Sequence, residues 1–207
     1  MPDQAEGIAV AESADFLHLR LTRPPVNAFT VEMFDGLAAA LVKLGDDPRP
    51  VVLSGSPAIF SAGFDVKAPG ADPAVADAAA RACVAALRDH PGPTVAAVEG
   101  AAVGVGLLLA MSADLLVVAS NARLRMPEIV LGLDPDIDPL RRFLAEPWIR
   151  RMCLLGEAFT PEVLCLDAAG SVVCAPGTAE QRGIELARSL GQLRPDCVRN
   201  VKRQFIR

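Results

Sequence analysis

The chain has 207 residues, 52% of them hydrophobic and 22% charged, with a formal net charge of −5. That balance belongs to a globular protein, and the length suffices for one domain that buries roughly 70% of its unfolded surface. The acidic excess excludes the basic footprint of a nucleic-acid binder.

In chain order, Gly7–Val10 and Phe16–Leu21 read as two strands around the polar turn Glu12-Ser13-Ala14-Asp15. His18 lies in an alternating stretch and is expected to face solvent. Thr30 caps an amphipathic helix to about Leu44, with Glu32 in its first turn, and Gly45-Asp46-Asp47-Pro48 ends it before the strand Val51–Ser54. The segment Phe60-Ser61-Ala62-Gly63-Phe64-Asp65-Val66-Lys67 follows as a glycine turn, read as opening a helix. Asp72-Pro73 starts a helix to about His90, where a partial positive charge is favoured by the helix end.

Thr94-Val95-Ala96-Ala97-Val98 is the next strand, followed by a second glycine turn, Gly100-Ala101-Ala102-Val103-Gly104-Val105-Gly106. A helix over 104–112 and a strand at Leu115–Ala119 complete this unit. From Ile137 onward the pattern turns helical, with N-termini at Thr160-Pro161-Glu162 and at Thr178-Ala179-Glu180-Gln181, the latter a capping box. A short strand at Ser171–Cys174 lies between them.

The two glycine turns carry the functional reading. Glycine lets the backbone approach a ligand closely, and two such turns side by side aim two unpaired N–H groups at one oxygen. That is an oxyanion hole, suited to chemistry through an enolate. Other classes fare badly. Leu109 occupies the third-glycine place of a dinucleotide fingerprint, and neither a Walker lysine nor a Gly-x-Ser-x-Gly elbow occurs. Two histidines, His18 and His90, are too few for a His/Cys metal site or a serine triad. Five scattered cysteines without a CxxC pair read as reduced thiols of a cytoplasmic protein. The polar, acidic N-terminus is unlike a signal peptide, and the apolar run between Glu99 and Asp114 is too short to span a bilayer.

Together with Arg23-Pro24-Pro25-Val26-Asn27-Ala28, Met126-Pro127-Glu128-Ile129 and Leu154-Leu155-Gly156-Glu157-Ala158-Phe159-Thr160, these turns resemble the crotonase (enoyl-CoA hydratase/isomerase) superfamily. The five motifs run from about residue 20 to the end of the chain, in the family's order and spacing. The resemblance implies an α/β fold, the ClpP/crotonase spiral of ββα units. One domain over 1–207 is expected, with a core of about 7–135 and a helical part of about 137–207. Family members continue through another helix or two beyond Val201-Lys202-Arg203-Gln204-Phe205-Ile206-Arg207, and assemble as trimers or dimers of trimers.

The same resemblance implies an acyl-CoA thioester as ligand, with no separate cofactor, metal, membrane or nucleic-acid partner. Its oxyanion donors would be the N–H groups of Phe64 and Val105. Ala62, Gly63, Asp65, Val66, Lys67, Gly104 and Leu108 would contact the CoA or acyl group. Lys67 reads equally as a phosphate contact or a solvated lysine, and Asp65 as a helix cap.

The acids set the reaction. Hydratases of the family hold a water between two glutamates. Leu108 stands at the place of the first, and Glu128 at the second. Among Met126, Ile129 and Leu131, the Glu128 carboxyl is expected to titrate high, ready to move an α or γ proton. A helix-start or surface acid is the plainer reading. Asp136 matches an aspartate of the dienoyl-CoA isomerase branch, or serves as an N-cap, although Asp138-Pro139 is the better cap by sequence. Asp134 reads as a turn residue. The implied activity is enoyl- or dienoyl-CoA isomerisation with Glu128 as acid/base and Asp136 as second acid. The alternatives are a non-catalytic acyl-CoA-binding protein and an atypical hydratase.

Overall fold

The computed structural model describes residues 6–134, 136–165 and 171–205. Its first half comprises β1 (Ile8–Glu12), β2 (Leu17–Leu21), α1 (Val31–Lys43), β3 (Val51–Ser54), α2 (Pro73–Asp89), β4 (Thr94–Val98), β5 (Ala101–Val103) and α3 (Val105–Ser112). Then come β6 (Leu115–Ala119), β7 (Arg123–Arg125), α4 (Glu146–Leu155), β8 (Ala158–Phe159), α5 (Glu162–Cys165), β9 (Ser171–Cys174), α6 (Ala179–Gly191) and α7 (Pro195–Lys202). Short 3-10 turns occupy Glu128–Leu131 and Pro139–Arg142.

Six strands form one sheet in the order β1-β2-β3-β4-β6-β9, antiparallel between β1 and β2 and parallel elsewhere. The central strands β3, β4 and β6 read as near-continuous apolar runs because both faces are covered. Successive residues serve opposite layers. Val51 and Leu53 enter the main core with α1 and α2, whereas Val52 packs with Ala97 and Ala187 beneath α6. Burying a side chain such as Leu53 contributes about 1.5–3 kcal/mol. Gly183 lets α6 lie close, since a β-carbon there would sit 3.0 Å from that of Ala97. A second sheet, ordered β5-β7-β8, leads into Gly104 after β5, and β7 precedes Glu128.

Several caps form where the sequence places them. The Thr30 hydroxyl accepts from the Met33 N–H, and the Asp72 carboxylate from the Ala74 N–H. The capping box at Thr178 does not form. Thr178 has ψ near −3° rather than the extended geometry a cap needs, and its hydroxyl donates to the Ala175 carbonyl. The buried Glu99 carboxylate accepts the Ala179 N–H at 2.7 Å instead.

Three further expectations need correction. The turn after Phe60 does not open a helix; residues 66–70 make further turns, and α2 waits for the Asp72 cap and Pro73. Residues 101–103 of the second turn are a strand, paired in parallel with β7. His18 does not face solvent. The α6 layer covers it to 7% exposure, with Nε2 2.8 Å from the Ser54 hydroxyl, which itself donates to Glu180.

His90 does end α2, but it is buried, with Nε2 2.8 Å from the Arg49 carbonyl and Nδ1 unpartnered. Burial depresses its pKa, outweighing the hydrogen bond to the Arg49 carbonyl, which acts to raise it. At the other end of the chain, Lys202 anchors α7 by donating to the Gly92 carbonyl and pairing with Asp114, both at 2.8 Å. No helix among the described residues is long and apolar enough to cross a membrane.

Candidate active site

The first turn is built on Asn27, a buried residue with φ of +49°. Its side-chain amide donates to the carbonyls of Ile59 and Phe60, and its own carbonyl accepts from the Ser61 hydroxyl at 2.7 Å. Ser61 Oγ also accepts the Gly63 N–H. Gly63 has φ of +89°, and a β-carbon there would meet the Val103 carbonyl oxygen at 2.8 Å. Glycine is required on both counts.

Phe64 bridges Phe29 in parallel. The Phe29 N–H donates to Gly63 O at 2.7 Å, and the Asp65 N–H donates to Phe29 O at 2.8 Å. In a parallel pair the bonds go to the residues flanking the bridged one, so the Phe64 N–H is left out of the ladder. Ala62 is tied back by its N–H to the Val26 carbonyl.

The second turn presses against the first. Gly104 adopts φ 55°, ψ −131° as it enters α3, with its N–H on the Arg125 carbonyl. Its carbonyl accepts from Leu107 and Leu108. Val105 is the first helical residue, so its N–H has no intrahelical acceptor, and no side chain caps it. A β-carbon on Gly63 would be 3.7 Å from Gly104 Cα. Two unengaged N–H groups therefore flank one glycine-to-glycine contact.

Glu128 completes the arrangement. A β-carbon on Gly104 would meet its Oε1 at 2.5 Å, and its Oε2 is buried without a partner. Burial pushes its pKa above the usual carboxylate value, opposed in part by a hydrogen bond from its own backbone. Cys153 on α4 feels the same neighbourhood: burial first, then the Glu128 charge, raises its thiol pKa. Leu108, one helical turn beyond Gly104, is 8% exposed and belongs to the main core.

The remaining sequence candidates divide. Asp65 caps no helix. It pairs with Arg23 at 2.8 Å and accepts the Lys67 N–H, and the Arg23 hydrogen bond holds its pKa low. Val66 and Lys67 lie exposed beside the turn. Asp136 accepts the Asp138 N–H at 3.1 Å and faces Arg81 at 3.5 Å; among the described residues no hydrogen bond or ion pair joins it to Glu128. Asp138, the better cap by sequence, instead pairs with Arg141. No local pattern assigns a role to Arg23, quoted only as part of a motif, or to Cys153, because their partners Asp65 and Glu128 lie far along the chain.

This fold and this paired-turn site define an α/β protein of the crotonase type. The pattern of the enoyl-CoA hydratase/isomerase family matches residues 11–207, and the chain belongs to that family. It is similar to probable enoyl-CoA hydratase EchA17 of Mycobacterium bovis, 40% identical over 138 residues, which cover 64% of this chain and 53% of that protein. The chain thus matches about half the length of that relative. DspI of Pseudomonas aeruginosa superposes with a TM-score of 0.87 at 28% identity, over 97% of this chain and 80% of that one. A putative enoyl-CoA hydratase of Thermobifida fusca, solved in complex with CoA, superposes with a TM-score of 0.84 at 26% identity, over 98% of this chain and 85% of that one.

Proposed function

We propose that the chain binds an acyl-CoA thioester and moves the double bond of an enoyl-CoA into conjugation. The N–H groups of Phe64 and Val105 receive the thioester oxygen, and Glu128 takes a proton from C2 and returns it to C4. The electron pair left at C2 delocalises into the polarised carbonyl and the adjoining C3–C4 double bond. Reprotonation at C4 then leaves a C2–C3 double bond, so the atoms balance without water.

One observation carries the reading: Glu128 Oε1 lies against Gly104 while Oε2 is buried and unpartnered. A desolvated carboxyl with a raised pKa suits a base that must also give its proton back. Leu108 favours isomerisation over hydration, since leucine cannot activate or protonate through water. Asp136 is engaged by Arg81 and its own turn, so in this reading it supports the loop rather than supplying a second acid. Relatives named as hydratases and a neighbour holding CoA support the substrate class. A trimer or dimer of trimers belongs to the same proposal.

Leu108 also favours a second reading, an acyl-CoA-binding protein without turnover. Incubation with 3-enoyl-, 3,5-dienoyl- and 2-enoyl-CoA, followed by absorbance, separates the two. Isomerisation of the 3-enoyl substrate, lost in Glu128→Gln, supports the proposal. Retained thioester binding without turnover supports the second reading. Isomerisation undiminished in Glu128→Gln overturns the role of that residue.

A further inference from the structure

The Arg23 side chain spans two layers of the first turn. Its two terminal nitrogens donate to Asp65 Oδ2 at 2.8 Å and to the Ala28 carbonyl at 2.9 Å. Its backbone N–H donates to Asn27 Oδ1, and its carbonyl accepts the Asn27 N–H at 2.7 Å. Asn27 in turn holds Ile59, Phe60 and Ser61. Residues 23–29 therefore form a strap laced along 59–65. The Arg23–Asp65 pair closes it one residue past Phe64, where a bond on each side of Phe64 already fixes the peptide plane.

We infer that Arg23 is a positioning residue for the Phe64 N–H, acting through Asp65. The inference rests on the proposed role of that N–H toward the thioester oxygen. Two physical effects combine. A guanidinium fork holds the carboxylate in one orientation and so restrains the turn that aims the donor. It also neutralises a carboxylate one residue from the donor, where negative charge would gather on the thioester oxygen. An unpaired Asp65 would oppose that charge. Asp65 is thus assigned to the scaffold rather than to direct contact with CoA.

The test uses hexanoyl-CoA labelled with carbon-13 at the carbonyl, bound to the full chain and read by infrared spectroscopy. The wild type is expected to lower the carbonyl stretching frequency relative to free thioester. Arg23→Gln is expected to lose part of that shift while the dissociation constant changes little. With 3-hexenoyl-CoA, the same variant should lose roughly 10- to 100-fold in kcat with a smaller change in KM. Asp65→Asn should be milder, and the double variant no worse than Arg23→Gln, because both residues act through one link.

A full wild-type shift in folded Arg23→Gln overturns the inference, as do losses that simply add in the double variant. No shift in the wild type counts against the proposed function itself. Should Arg23→Gln fail to fold, Arg23→Lys carries the same test with a smaller loss expected. Lysine keeps the charge but cannot present the two-pronged fork to Asp65 and Ala28 together.

Discussion

Gly104 and Glu128 are in such close apposition that a single methyl group on Gly104 would lie 2.5 Å from the Glu128 carboxylate. The glycine is therefore needed twice, for its φ of +55° and for the room it leaves the acid. Gly104→Ala is expected to cost on the order of 2 kcal/mol in stability and to displace Glu128. Thermal unfolding and turnover measured together check this. A variant with wild-type turnover would show that the contact is incidental.

Glu128→Gln is expected to be more stable than the parent at neutral to alkaline pH. Burial raises the Glu128 pKa, so the folded chain holds that proton more tightly than the unfolded one. The stability this contributes is present below the ordinary carboxylate range and is lost as pH rises through the folded value. Because the Glu128 carboxyl is partly buried, the neutral amide should be the more stable form near pH 8 and differ little from the parent near pH 4. Urea unfolding at the two pH values reads the difference, and a variant less stable at both would contradict it.

Under the proposed mechanism, Leu108→Glu is expected to raise hydration of 2-enoyl-CoA above that of the parent, by placing an acid one helical turn from Gly104. Leu108 is buried, so the new carboxyl should lower stability by about 1–3 kcal/mol, a fall of roughly 2–4 °C in Tm for each kcal/mol. Product analysis after incubation with 2-enoyl-CoA checks the first outcome. Unchanged hydration in a folded variant would show that the missing acid is not what excludes water chemistry.

His90 should make the chain acid-sensitive. Its pKa is lowered, first by burial, so the unfolded chain binds the proton more readily. Stability is then full above the ordinary histidine value of about 6.5 and falls as pH drops below it. His18 acts in the same direction, burial outweighing the attraction of Glu180. His90→Gln keeps a donor for the Arg49 carbonyl and should lose less stability between pH 7.5 and pH 5.5 than the parent. Equal losses would place the acid sensitivity elsewhere.

Local signals were legible where the physics is local. Thr30 and Asp72-Pro73 mark helix starts that form as read, and the β-branched runs at Val51 and Thr94 become buried parallel strands. The glycine turns were legible because Gly63 and Gly104 both require positive φ. What the sequence hid depends on distant partners. Burial of His18 comes from α6, more than a hundred residues on, and the cap of α6 comes from Glu99 rather than Thr178. The acid role of Asp136 comes from the family resemblance alone, and its facing of Arg81 on α2 at 3.5 Å joins positions 55 apart. The Arg23–Asp65 pair joins positions 42 apart, a link that no local pattern announces.

The central claim is that the paired turns polarise a thioester while Glu128 moves the α-proton. Its most direct measurement is exchange of the α-protons of saturated hexanoyl-CoA in deuterium oxide, followed by NMR, because it needs enolate formation and no particular product. The account predicts deuterium uptake with the wild type and a loss of at least roughly 100-fold in Glu128→Gln. Uptake at the same rate in both proteins, or none with the wild type, would contradict it.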